Sequence, residues 1–262
     1  MLIREFYPVL DHYGITSNKE FLCGCEFEIE DVKDYKNIPT TIDVTNDSSL
    51  RNNGKEFKTP PQPIDLAVET FKQLHSSLKV GKQPFSERTS IHVHVNVREL
   101  DLVQARQLVL LYALYEPLFF DFVGNIRKNS IFCVPLNYTY LPSVYKLDIK
   151  GLKEKWHKYT AFNIIPMGPS PDHQGFGTVE FRHLYGTNDA YVFETWLKAI
   201  KELYTIIMEN PTFDILTELQ GDTVQLAYKT VPTLAYRLSP ETIKTLIADS
   251  TLDVKLSAGG IR

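Results

Sequence analysis

Four short segments alternate charged or imidazole side chains with apolar ones at the period of a β-strand, and this alternation limits what the chain can fold into. They are GCEFEIE at 24–30, NGKEFKTPP at 53–61, SIHVHVNV at 90–97 and TVEFRHLYG at 178–186. Successive residues of a strand turn to opposite faces of its sheet, so residues two apart share a face. Glu26 and Glu28 therefore project together, as do His92 and His94, and Glu180 and Arg182. Phe27, Val93, Val179 and Phe181 point the other way. Such strands need a sheet with one apolar face to be covered and one face of acids and imidazoles, suited to cations and phosphates.

The rest of the chain can supply that cover. With 262 residues, 43% of them hydrophobic and 12% aromatic, it suits one fairly large folded domain spanning 1–262 and excludes a disordered chain. The net charge of −4 and pI near 6.0 show no basic excess, so no nucleic-acid grip is expected. An acidic pocket stays compatible with anionic substrates, because bound divalent cations invert the local charge. Arg4, Glu5 and Asp11 interrupt the apolar residues of the start, which is not the pattern of a signal peptide. The apolar run LVLLYALY at 108–115 is too short to span a bilayer and is closed by Glu116 and Pro117, so no membrane partner is expected. Cys23, Cys25 and Cys133 form no CxxC pair; buried thiols in a reducing, cytoplasmic setting are the expectation.

Strands are expected over 22–30, near 40–45 and over 55–59, the last halted by Pro60-Pro61. Ala67, Phe71, Leu74 and Leu78 recur at helical spacing and predict a helix over 63–79. After the strand at 90–97 comes the most apolar helix, 101–123, with Pro117 expected to kink or split it. Loop and strand follow over 125–140. Two more strands, 159–166 and 176–184, flank the turn-rich PMGPSPDHQGFG. Val192, Trp196, Ala199, Leu203 and Ile206 predict a helix over 189–209. Residues 211–262 read as a C-terminal helical segment, including 240–248 with Ser239 as cap and Pro240 in the first turn, and ending in a loose SAGGIR tail. Grouped strands separated by long helices predict an α+β fold on a mostly antiparallel sheet.

Each motif has an ordinary reading beside the chemical one. Paired glutamates such as Glu26 and Glu28 occur on solvated strand faces, but on a buried face they repel unless cations separate them. His92 and His94 suit a hydrogen-bonded structural pair, or a metal ligand with a phosphate donor beside it. Glu56 and Asp47 read singly as surface charges, Glu180 with Arg182 as a simple ion pair, and Arg127 as a solvated loop charge or a phosphate contact. Carboxylate-rich company favours Mg²⁺ or Mn²⁺ over zinc, for which no cysteine or third histidine completes a set.

Taken in order, these motifs resemble the amidoligase family, the carboxylate–amine ligases related to glutamine synthetase and glutamate–cysteine ligase. The matching points are GCEFEIE, DSSL at 47–50, GKEFKTPP, HVHV at 92–95, RKNSIFC at 127–133, KYTAFNIIP at 158–166 and TVEFRHLYGTND at 178–189, covering about 20–210. The resemblance implies a curved, mostly antiparallel sheet of the glutamine synthetase catalytic type, flanked by helices, whose concave face binds ATP with Mg²⁺. It assigns metal contacts to Glu26, Glu28, Glu56, His92, Glu180 and Asp47. It places His94 and Arg127 near the phosphates and gives Arg182 the transferring phosphoryl group or the substrate. Where relatives often carry a glycine before the first histidine, this chain has Thr89-Ser90-Ile91.

The implied reaction joins a small-molecule or peptide carboxylate to an amine through an acyl phosphate, with substrate choice expected in loops 125–145 and 166–177. A phosphotransferase of guanidino-kinase type and a non-catalytic nucleotide-binding protein are the competing readings.

Overall fold

The computed structural model describes residues 1–6, 20–136, 141–146, 149–169 and 175–259. The loop stretches 137–140 and 170–174, within the regions expected to select substrate, lie outside the described residues. The strands are β1 (Cys23–Ile29), β2 (Val32–Asp34), β3 (Asp43–Asn46), β4 (Lys55–Lys58), β5 (Lys79–Val80), β6 (Ser90–Asn96), β7 (Phe162–Asn163) and β8 (Thr178–Tyr185). Six of them form one sheet in the order β3-β4-β1-β6-β8-β7, and every neighbouring pair is antiparallel. The two short strands β2 and β5, which the periodicity did not announce, pair in a separate ribbon.

Helices cover the apolar face. After the short α1 (Ile3–Phe6), α2 (Ile64–Ser77) and α3 (Leu102–Val123) form the first of this cover. Then come the short α4 (Asn125–Lys128), α5 (Leu141–Lys146) and α6 (Ile149–Lys155), and after β8 the long α7 (Ala190–Glu209). Phe27 of β1 meets Phe71 of α2 and Phe193 of α7, each at a centroid distance of 5.5 Å. Phe71 and Phe193 stack at 4.5 Å. Phe181 of β8 meets Tyr112 and Phe119 of α3 at 6.0 and 5.9 Å. Such aromatic contacts add to the favourable removal of large apolar surfaces from water.

Pro117 does not divide α3, which runs unbroken over 22 residues. Its ends are well closed: Asp101 and Gln104 form a reciprocal capping box, and Gly124 takes the positive φ of 79° that stops the helix. Burial on nearly all sides offsets the proline's missing donor. The strand expected over 159–166 is two residues long, because the chain turns at Ile165–Met167 into a 3₁₀ helix that accommodates Pro166. Region 125–140 begins as helix, not strand. At the C-terminus α8 (Ile215–Glu218), α9 (Thr223–Thr230), α10 (Pro232–Ala235), α11 (Pro240–Leu246) and α12 (Ala248–Gly259) follow. Ser239 caps α11 by accepting from the Thr242 amide. The start of the tail, 257–259, is helical instead of loose. Ser250 donates to the Leu114 carbonyl at 2.8 Å, tying α12 to α3. Among the described residues no helix is long and apolar enough to cross a membrane, and all three cysteines are free and buried.

Candidate functional site

Strand register alone gathers the site. Glu26 of β1 lies between His92 of β6 and Lys58 of β4, while Glu28 faces Glu56. His94 in turn faces Glu180 of β8. Directly paired residues share a face, so four strands present their polar side chains to one side. A β-bulge refines this. Ile91 faces Leu184 but Val93 faces Phe181, so both Arg182 and His183 lie opposite His92. Arg182 stays with Glu180 on the polar side, whereas His183 enters the core against Phe119, Phe120 and Trp196. Without the extra residue Leu184 would share the polar face; with it, Leu184 is fully buried.

His92 is the hub. Its Nδ1 lies 3.2 Å from Glu26 and 3.4 Å from Glu180, and its Nε2 lies 3.8 Å from Glu28. His94 Nε2 is 3.5 Å from Glu26 and 4.0 Å from Glu180. Ser90 supports the hub from below: its amide and hydroxyl donate to Glu28 Oε2 at 2.8 and 2.5 Å, and its Oγ is 2.9 Å from His92 Nε2. Ser90, in the Thr89-Ser90-Ile91 segment before His92, thus holds an acid. Asn163 Nδ2 donates to Glu180 at 2.8 Å, Thr178 Oγ1 meets His94 Nδ1 at 3.1 Å, and Thr45 donates to Glu56 at 3.0 Å.

The charges do not balance. Glu26, Glu28, Asp47, Glu56 and Glu180 converge, against the permanent cations Lys58, 2.8 Å from Glu56, and Arg182, paired with Glu180. Burial acts on Glu26 to raise its pKa, yet His94 and His92 more than offset this and hold it well below the usual carboxylate range. Glu180 is lowered in the same way, against burial, by Arg182 and the two histidines. Burial and the negative charge of Glu26 instead push Glu56 up. Burial opposes the His94 cation, but Glu26 and Glu180 lift its pKa above the ordinary imidazole value. Buried and half-buried acids in this number call for further positive charge.

The donor atoms supply places for it. Among the described residues three overlapping triads have ligand atoms that, within each triad, all lie within 4.8 Å of one another: Glu28 with Asp47 and Glu56, Glu26 with Glu56 and His92, and Glu26 with His94 and Glu180. Every residue expected to touch metal takes part. So does His94, which had been expected nearer the phosphates. The set is mainly carboxylate oxygen, which fits hard Mg²⁺ or Mn²⁺.

The two arginines differ. Arg182 is half-buried on the site face, paired with Glu180, donating to the Phe132 carbonyl at 3.3 Å and lying 5.8 Å from the Tyr159 ring. Arg127, expected to reach phosphate, is fully buried. Its Nε donates to the His183 carbonyl at 2.9 Å and its Nη2 to the Arg182 carbonyl at 2.7 Å. Those carbonyls belong to the bulge, opposite the residues that precede the short β7, so the guanidinium stands in for the missing neighbour strand. Among the described residues its Nη1 has no acceptor, and burial, opposed by nearby Cys133 and Glu28, lowers the arginine's pKa. As observed, Arg127 holds the backbone that carries Arg182.

Sequence reading passed over Ser90, Asn163, Thr178, Thr45 and Lys58. Ser90 and Lys58 were within reach, since each lies two residues from a named site residue on the same strand face; Asn163 and Thr178 come from register between distant strands. No sequence among functionally curated proteins matches this chain. A family model described as “Putative amidoligase enzyme” matches residues 19–203, well over half of the 262 residues. That span contains all four site strands and every residue of the three triads, and the chain belongs to the amidoligase family.

Proposed function

We propose that this protein is an ATP-dependent ligase that joins a carboxylate to an amine, on a glutamine synthetase-type catalytic sheet and in a reducing, cytoplasmic setting. The observation that carries the reading is the run of three overlapping oxygen-rich triads on one sheet face, with Arg182 at its β8 side. Family membership supports the ligase class.

A carboxylate is a poor electrophile because its leaving group would be oxide. Transfer of the γ-phosphoryl group of ATP to a carboxylate oxygen makes an acyl phosphate and releases ADP. The amine then attacks the carbonyl carbon, phosphate leaves, and the amine gives up a proton. Little covalent chemistry falls to the protein, whose work is positioning and charge neutralisation. Glu26, Glu28, Asp47, Glu56, His92, His94 and Glu180 would hold Mg²⁺ or Mn²⁺. Bound there, the ions supply neutralisation of polyphosphate oxygens. Arg182 is the side chain to meet charge on the transferring group, exchanging its hold on Glu180 for an anionic oxygen. Ser90 and Asn163 fix the carboxylates of Glu28 and Glu180, and Arg127 fixes the bulge beneath Arg182. Small-molecule or peptide acids and amines are the proposed substrates.

The products test the mechanism. With a productive acid and the amine withheld, hydroxylamine should trap an acyl hydroxamate in step with ADP release. AMP and pyrophosphate as the stoichiometric products would overturn it, and a stable phosphorylated product indifferent to amine would make the protein a phosphotransferase.

A further inference from the structure

The row of triads has two chemically different ends. At the β3 side Asp47 joins Glu28 and Glu56, and the surroundings are polar: Arg51 pairs with Glu87 and its amide donates to Glu30, while Arg88 donates to the Ser49 carbonyl. At the β8 side, next to His94, stands an aromatic ring. Phe176 lies edge-on to His94, with centroids 5.8 Å apart and planes at 89°, and it is 51% exposed.

Scattered exposed apolar residues are common and need no explanation. This one is set apart by its location and its anchoring. The amides of Phe176 and Gly177 both donate to the Pro166 carbonyl, at 2.8 and 3.1 Å. The flanking Gly175 and Gly177 adopt φ of 79° and 68°, a region that disfavours any side chain. A Cβ at Gly175 would come within 2.3 Å of the Gly168 backbone. The chain is thus turned tightly so that a phenyl ring is presented at the mouth of an acidic site.

A ring cannot bind phosphate, but it can stack on a neutral planar base, whose π-face accepts aromatic partners regardless of hydrogen-bonding pattern. We propose that Phe176 is the platform for the purine of the bound nucleotide. The triphosphate then runs from His94 along the triads, and the carboxylate and amine enter from the Asp47 end. This inference rests on the nucleotide reading above and gives it a direction.

Calorimetry separates the two. Wild type, Phe176→Ala and Phe176→Trp are titrated, with Mg²⁺ present, with a non-hydrolysable ATP analogue and with inorganic tripolyphosphate, which carries the charge and lacks the base. The platform predicts that Phe176→Ala weakens the analogue about tenfold, leaves tripolyphosphate unchanged, and that Phe176→Trp retains the analogue. Unchanged analogue affinity in Phe176→Ala overturns it, as does equal weakening of both ligands, which would mark damage to the phosphate site. If wild type binds neither ligand, the nucleotide reading itself falls and the platform with it.

Discussion

Glu180 and Phe181 are neighbours on β8, both almost fully buried, and burial acts on them in opposite senses. Phe181 turns towards Tyr112, Phe119 and Phe162, where leaving water favours folding by roughly 1.5–3 kcal/mol. Glu180 turns the other way, to Arg182, His92, His94 and Asn163. Removing its charge from water costs several kcal/mol, and the carboxylate stays charged there only because those partners offset that cost. The same strand therefore stabilises the fold through one face and holds concentrated charge on the other. A sheet tolerates the second because the first is so thoroughly packed.

The largest test of that contrast is on the core face. Phe71, fully buried between Phe27 and Phe193, should lose about 3–5 kcal/mol of stability on truncation to alanine, measured by urea unfolding. A loss under about 1 kcal/mol would mean the helices do not carry the sheet. On the polar face, Glu180→Gln keeps shape and removes charge. Turnover should fall by about a hundredfold, the ~3 kcal/mol of one strong electrostatic contact, while the unfolding midpoint moves far less than for Phe71→Ala. Unchanged turnover would return Glu180 and Arg182 to the role of a structural ion pair.

The contrast was legible in the sequence where it depended on period. Glu26 and Glu28, His92 and His94, Glu180 and Arg182 each announce a shared face, and the alternating Phe27, Val93 and Phe181 announce the other. Period does not state which strand lies beside which, so the closeness of Asp47 to Glu28 and the support from Asn163 and Thr178 came only with register. Nor does it foresee a bulge, a local insertion that turns Leu184 inward beside His183 and creates the edge carbonyls that Arg127 occupies. A basic residue in a loop reads as solvated; its burial is decided by a neighbour strand that begins only at Phe162, after the residues opposite Arg182 and His183. That Pro117 does not split α3 has a related reason, since proline's local penalty is visible in sequence and the packing that outweighs it is not.

The smallest expected effect contrasts histidines on the two sides. His94 keeps its proton more readily because acids surround it. His75 of α2 lies instead among Phe27, Phe71 and Phe85, at centroid distances of 6.4, 4.4 and 6.1 Å, with its Nε2 buried and without a hydrogen-bond partner among the described residues. Burial lowers its pKa from 6.5 to about 4. Above pH 6.5 the ring is neutral in both folded and unfolded chains, and its contribution to stability is intact. As the pH falls through 6.5 the unfolded chain takes up a proton that the folded chain refuses until about pH 4, so stability declines across that window. The loss should be on the order of 2 kcal/mol, somewhat below the full linkage value because the residue as a whole is only half-buried. Other groups titrate in the same range, so the decisive quantity is a difference between proteins. Unfolding free energy measured at pH 7 and pH 4 should drop less for His75→Leu than for wild type, by about that amount. Equal drops would show that the aromatic pocket admits a charged imidazole. The two faces of the sheet would then differ less in their tolerance of charge than Glu180 and Phe181 suggest.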